Sequence, residues 1–223
     1  MYLPSIARQA VSFLALFSPW DKSQWIASDD VVRGGISHSS LDILEPKTAD
    51  NPFSHSIAKF HGTLDYVTLG GSGFASQRTI DDWPGLDLSG YDRLLVEISY
   101  TDGKTYTLNL KDNVVPPSKD GVEQPSVSWA YDFQIPATKK SKGEILINQV
   151  IINFKDLVPT LRGTVQNDTE PFDLANILRA SIMIRSFQTE QEGEFELRIK
   201  SITALRQDCE TPKIHNSCED LCT

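Results

Sequence analysis

The sequence predicts an all-β protein, a β-sandwich of the jelly-roll kind, on three observations. Past residue 19 the apolar side chains fall in short runs with a period of two, the repeat of strands whose alternate residues face a core. The runs are separated by Gly, Pro, Asn and Asp, which turn or interrupt the chain. Helical periodicity is sparse, and roughly ten strand-like runs at short spacing are the pattern of a sandwich rather than of strands alternating with helices.

The first segment reads differently. In MYLPSIARQAVSFLALFS, Leu3, Ala7, Ala10, Val11, Leu14 and Phe17 share a helical face, Pro4 suits a first turn and Pro19 stops the pattern. A short N-terminal helix over residues 1–19, packed on its own domain, is therefore expected. Its one basic residue, Arg8, is fewer than a mitochondrial presequence carries, and no small-residue cleavage point of a secretory signal follows.

Two glycine stretches come next. Ser28 to Ser40, SDDVVRGGISHSS, and Leu69 to Arg78, LGGSGFASQR, each join paired glycines, small hydroxylated residues and an arginine. Glycine serves where backbone takes positive φ or approaches another surface closely, and serine bonds nearby backbone. Both stretches read as tightly specified turns or bulges within β-structure. Leu94, Val96, Ile98 and Tyr100 then alternate, and Tyr106, Leu108 and Leu110 resume after Asp102-Gly103, which predicts a hairpin.

Val127, Trp129, Tyr131 and Phe133 form a strand before Pro136. Ile145, Ile147, Val150, Ile152 and Phe154 give one or two more, with a phase break at Asn148-Gln149 that reads as a bulge or turn. Asp173 is a good N-cap for a helical turn to Ile177, ahead of Ile182 and Ile184. Phe195, Leu197 and Ile199 alternate until Ile202 and Ala204 shift phase, which predicts a bulge. Long loops are expected at Leu44 to His55, Asn113 to Pro125 and Gly163 to Pro171. The organisation is thus a helical segment (1–19), one sandwich domain (20–206) and a polar, Cys-containing tail (207–223).

Composition limits the function classes. A chain of 223 residues buries roughly 70% of its unfolded surface and needs no staples. The net charge of −9, with no basic run longer than Lys139-Lys140, argues against a general nucleic-acid binder. No apolar run approaches the roughly 18 residues that cross a bilayer. Cys209, Cys218 and Cys222 all lie in the last fifteen residues, which fits a reducing compartment better than a disulfide framework.

Catalytic motifs fail on spacing. Gly70-Gly71-Ser72-Gly73 lacks the third glycine of a dinucleotide loop, the Lys of a P-loop and the flanks of a nucleophile elbow. His38, His55, His61 and His215 show no catalytic spacing, so no enzyme and no cofactor are expected. Cys209, His215, Cys218 and Cys222 supply zinc-ligand types at a spacing unlike that of usual fingers, and no metal site is expected.

Eight pieces of the chain resemble the complex I intermediate-associated protein 30 family. They are SDDVVRGGISHSSL, FHGTL, LGGSGFASQR, LDLSGYDRLLVEI, DGKTYTLNLKD, SVSWAYDF, FDLANILRASIMIRS and EGEFELRIKSITAL. They run collinearly from about Trp20 to Arg206, and the set is specific where one piece alone is weak. The resemblance implies a galactose-binding-like jelly roll, the architecture also used by carbohydrate-binding modules. It also implies a non-enzymatic, chaperone-like assembly factor for mitochondrial respiratory complex I. Its partners would be assembly intermediates and companion assembly factors, on the matrix side. The alternatives are a carbohydrate- or small-ligand-binding module, and a cytoplasmic protein-interaction domain unrelated to complex I.

The candidate recognition surface is Asp30, Arg33, Arg78, Trp83, Asp112 and Arg185. Charges among apolar strand positions must be paired or face water, so with Asp29 and Asp132 these can equally fix loops against the sandwich. Arginine makes planar bidentate contacts with carboxylates and carbonyls, and Arg33, Arg78 and Arg185 are expected to converge. Among the aromatics, Trp129 and Tyr131 share the phase of Val127 and Phe133 and belong to the core, whereas Trp83, in DDWPG, is the better candidate for a sugar-stacking ring.

Overall fold

Residues 12–119, 124–138 and 146–206 are described by a computed structural model. The alternating runs form the strands β1 (Phe13–Leu16), β2 (Trp25–Ala27), β3 (His38–Leu44), β4 (Ile57–Leu64), β5 (Phe74–Thr79), β6 (Arg93–Thr101) and β7 (Thr105–Lys111). They continue as β8 (Ser128–Gln134), β9 (Asn148–Asn153), β10 (Val158–Leu161), β11 (Thr164–Val165), β12 (Arg179–Arg185) and β13 (Gly193–Leu205). Three short 3₁₀ helices are the helical structure among the described residues.

The strands make two antiparallel sheets. One runs β3-β4-β13-β6-β9 with β1 also on β13, and the other runs β11-β10-β8-β7-β12-β5-β2. One core lies between them, with Phe60, Leu94, Ile98 and Leu197 from the first sheet and Tyr106, Leu110, Ile182 and Ile184 from the second. Side chains alternate as the sequence predicts, since a strand buries every second residue on one face.

The expected N-terminal helix is not what residues 13–16 form. They make β1, paired in register from Phe13 opposite Leu205 to Leu16 opposite Ile202. The reason lies on β13. Its first half pairs with β4 up to Ile199, and beyond that point one edge would be left unpaired. Backbone N–H and C=O groups there need partners, and β1 supplies them. Residues 1–11 lie outside the described residues, as do Ile145 and the whole tail 207–223 with Cys209, His215, Cys218 and Cys222.

Asp102-Gly103 is a turn but not a hairpin. β6 belongs to the first sheet, between β13 and β9, and β7 to the second, between β12 and β8. The turn carries the chain from one sheet to the other. Asp102 secures it by accepting hydrogen bonds from the Lys104 N–H (3.0 Å), the Tyr106 hydroxyl (2.9 Å) and the Glu196 N–H (3.2 Å). The predicted bulge in β13 is present, with register shifts between Arg198 and Ser201. Asn148 begins β9, so the phase break there is a strand start. Asp173 caps a single turn, its carboxylate accepting from the Ala175 N–H at 3.1 Å, and no helix follows. The loop after Leu44 is pinned by buried Asn51, whose amide donates to Leu44 O and His55 O, both at 2.8 Å.

Candidate recognition surface

Asp29 and Asp30 are the hinge pins of the first glycine stretch. The Asp30 carboxylate is fully buried and accepts from the Ser37 N–H (3.0 Å), the Ser37 hydroxyl (2.7 Å) and the Phe74 N–H (3.0 Å). Asp29 repeats the pattern two residues further along β3 and β5, accepting from the Ser39 N–H (3.0 Å), the Ser39 hydroxyl (2.7 Å) and the Ser76 N–H (2.8 Å). The two carboxylates therefore stitch the edge of one sheet to β5 of the other. Each satisfies backbone donors that would otherwise be buried without a partner.

The paired glycines are needed for different reasons. Gly34 ends a 3₁₀ turn at φ +84°, a left-handed conformation that glycine adopts without strain. Gly35 lies under Asp30, where a Cβ would sit 2.3 Å from Oδ1. The second stretch is held by buried Ser186. Its hydroxyl donates to Gly71 O (2.8 Å) and accepts from the Gly73 N–H (3.1 Å), while its own N–H donates to Gly73 O (2.9 Å). Ser37 ties the first stretch to the chain just past β4, its hydroxyl oxygen accepting from the Asp65 N–H at 3.0 Å. The loops before β3, before β5 and after β12 are thus gathered at the Phe74 end of β5.

This end exposes aliphatic side chains. Val31 (61%), Val32 (81%), Ile36 (63%) and Val67 (68%) lie on the two hydrogen-bonded loops. They are absent from the six candidate residues above. For Val31, Val32 and Ile36 the signal is legible, as aliphatics inside a stretch read as turns with no strand phase to bury them, whereas Val67 precedes the second stretch and carries no such signal.

The predicted arginines divide between the two ends of β5. Exposed Arg33 sets its guanidinium 5.1 Å from the centre of the Phe74 ring. Arg185 opposes Phe74 across β12–β5, pairs with Asp132 and stacks 4.5 Å from the Phe187 ring centre. Arg33 and Arg185 thus come to one end. Arg78 lies at the other, where it shares Asp81 with Arg179, at 2.9 and 2.6 Å. Asp112 also lies there, after the Lys111 that opposes Arg179, and accepts from the Asp173 N–H at 2.9 Å. Asp30 is structural in its contacts, and Trp83 is partly buried, stacked on Phe17 at 5.8 Å.

The outer face of the seven-stranded sheet is mixed, with exposed Ile26, Val158 and Val165 on its outer strands and Met183 among polar residues at its centre. Opposite the core-facing residues of β5, β7, β8 and β12 it presents Ser76, Arg78, Thr107, Asn109, Asp132, Ser181 and Arg185. Phe74 is the one aromatic among the described strand residues of that face, and Trp129 and Tyr131 turn to the core side. A row of exposed rings, on which sugars stack, is not present there.

The architecture defines a jelly-roll β-sandwich. Similar solved structures include the family 11 carbohydrate-binding module of the cellulosomal cellulase Lic26A-Cel5E of Clostridium thermocellum. It is 15% identical, with a TM-score of 0.57, covering 91% of this chain and 100% of that one. The Clostridium thermocellum family 11 module in complex with a β-1,3-1,4-mixed-linked tetrasaccharide matches with the same identity and TM-score, covering 89% of this chain and 98% of the module. At that identity the likeness concerns the fold alone.

Residues 15–199 match the family model described as complex I intermediate-associated protein 30, and the chain belongs to that family. An uncharacterised protein of Schizosaccharomyces pombe is 37% identical over 186 residues, covering 83% of this chain and 80% of the relative. Among the described residues no helix is long and apolar enough to cross a membrane, and no group of three or more His, Cys, Asp or Glu side chains is placed to hold a metal ion.

Proposed function

We propose that this protein is a non-enzymatic holding factor that binds a protein client stoichiometrically and acts in the assembly of mitochondrial respiratory complex I. The observation that carries the reading is the set of exposed aliphatics, Val31, Val32, Ile36 and Val67, on loops locked by Asp29, Asp30 and Ser186. A rigid scaffold that presents apolar loop tips loses little conformational freedom on binding, which is the condition for holding a client without reshaping itself. Covering the four side chains is worth roughly 4–8 kcal/mol before the costs of association, a contribution suited to a reversible contact. Arg33, exposed beside them, adds a bidentate donor for a client carboxylate or carbonyl. Family membership supports complex I as the setting and the mitochondrion as the compartment. The ring-poor outer sheet face supports a protein over a glycan as the ligand.

The test is a tagged pull-down with mass spectrometry from fractionated cells, comparing the unaltered chain with Val32→Asp/Val67→Asp. Complex I subunits recovered from mitochondria by the first and lost by the second, at unchanged melting temperature, are expected. A purely cytosolic protein that recovers none of them would overturn the reading.

A further inference from the structure

At the opposite end of β5 from the aliphatic loops, the chain between β1 and β2 and the turn after β5 enclose an open cleft of about 310 Å3. That volume is at the lower end of the range for small-ligand sites. Phe17 and Trp83 form its aromatic wall, stacked at 5.8 Å with their planes 27° apart, and Pro19 and Pro84 flank them. Ser18, Asp21 and Gln24 supply its polar lining. We infer that this cleft is a second binding site, and that its ligand is a basic side chain, lysine or arginine, carried on an extended protein segment.

Charge selects that class. An indole face attracts a cation through its quadrupole, tryptophan most strongly of the aromatic rings. Asp21 uses Oδ1 for both the Ser23 N–H (2.9 Å) and the Ser23 hydroxyl (2.7 Å), which leaves Oδ2 for a ligand. Those bonds, the hydroxyl's first, hold its carboxyl below the usual range, so it is anionic at neutral pH. Asp82, next to Trp83 in sequence, is exposed. The nearby cations are occupied elsewhere: Lys22 pairs with Asp42 at 2.8 Å and Arg78 with Asp81 at 2.9 Å. Asp21 is thus the charged residue of the lining, on a protein whose net charge is already −9. A neutral glycan would stack on the ring and donate hydroxyls to Asp21, but it gains neither the cation–π nor the ion-pair attraction. The site shares no residue with the aliphatic loops and stands whether or not they hold a client.

The test is a titration of the ¹⁵N-labelled chain followed at the indole N–H resonances of its four tryptophans, with that of Trp83 assigned by Trp83→Phe. The probes are a capped hexapeptide with one central arginine, the same peptide with citrulline, and a β-1,3-1,4-mixed-linked tetrasaccharide. The arginine peptide should shift the Trp83 resonance saturably. Citrulline should weaken binding about fivefold or more, the factor that a cation–π contact and an exposed ion pair supply together. Asp21→Asn/Asp82→Asn should do the same at unchanged melting temperature. Equal binding of the citrulline peptide, a response to the tetrasaccharide alone, or no Trp83 shift with any probe would each overturn the proposal. The citrulline comparison uses the unaltered chain, so it decides the matter even if a substitution unfolds the protein.

Discussion

Replacing Asp30 by alanine should destabilise the sandwich by about 2–4 kcal/mol, although the residue contributes no apolar packing. The side chain is fully buried, and its loss strips the acceptor from two backbone donors, the Ser37 and Phe74 N–H groups. Each buried donor left unsatisfied costs roughly 1–3 kcal/mol. The Ser37 hydroxyl is spared, because Asp65 O remains 3.0 Å away. Relief from no longer burying a carboxylate offsets part of the total, which sets the lower net figure. Against the roughly 5–15 kcal/mol that holds a typical domain together, this is a large fraction.

The neighbouring glycine makes the argument specific. Gly35→Ala places a Cβ 2.3 Å from Asp30 Oδ1, so it must expel the carboxylate and should cost about as much as Asp30→Ala. With Asp30 already alanine, the Cβ loses its clash, and the double variant should be little worse than Asp30→Ala alone. Gly34→Ala meets no atom within 4 Å but keeps φ at +84°, and should cost only about 1–2 kcal/mol. Urea unfolding followed by tryptophan fluorescence measures all four variants. Stability of Asp30→Ala within about 0.5 kcal/mol of the parent, the scatter of ordinary surface changes, or strict additivity with Gly35→Ala, would refute the reasoning.

Four further outcomes are expected. Arg33→Glu should leave thermal melting almost unchanged, since the side chain is exposed, and should reduce client recovery in pull-down. Arg185→Glu should instead cost about 1 kcal/mol by breaking its half-exposed pair with Asp132. At alkaline pH, burial first, then the negative charge and hydrogen bond of Asp102, push the Tyr106 phenol far above its ordinary value. The folded state keeps that proton while the unfolded chain loses it above about pH 10, so stability falls by about 1.4 kcal/mol per pH unit there, and urea titrations of Tyr106→Phe should lack this part of the slope. In acid, the hydrogen bonds from Lys22 and His61 hold the Asp42 carboxyl low, and those from Ser201 and Lys200 outweigh burial to hold Glu97 low. Both therefore contribute stability that is present above the ordinary carboxylate range and lost as pH falls through their folded values, and Lys22→Met should flatten the acid limb of the urea midpoint.

The scaffold beneath the candidate surface could be read ahead of the structure because its residues announce their chemistry, whereas the exposed aliphatics it carries are not among the predicted residues. Asp29, Asp30 and the paired glycines sit in a stretch that can be neither helix nor plain strand. Their roles follow from local rules of φ, close approach and hydroxyl bonding. The division of the arginines could not be read in this way. Arg33 and Arg185 meet around Phe74 while Arg78 turns to Asp81, because the register of β12 on β5 decides which ends coincide. Register is a property of two strands 100 residues apart. Nor could the Phe17–Trp83 cleft be seen, since its two rings meet only when β1 is seated on β13.

What the sequence by itself determined is the kind of structure: period-two burial, turns at Gly, Pro, Asn and Asp, and the bulge near Ile199. These follow from side-chain geometry within a few residues. What only the tertiary structure decided is which sheet each strand joins. The alternation before and after Asp102-Gly103 is the same whether the strands pair with each other or face one core from opposite sheets, because both arrangements bury every second residue. Likewise Phe13–Leu16 carries apolar residues that suit a helix or a strand equally. The unpaired half of β13 made it a strand, since buried backbone groups must find partners.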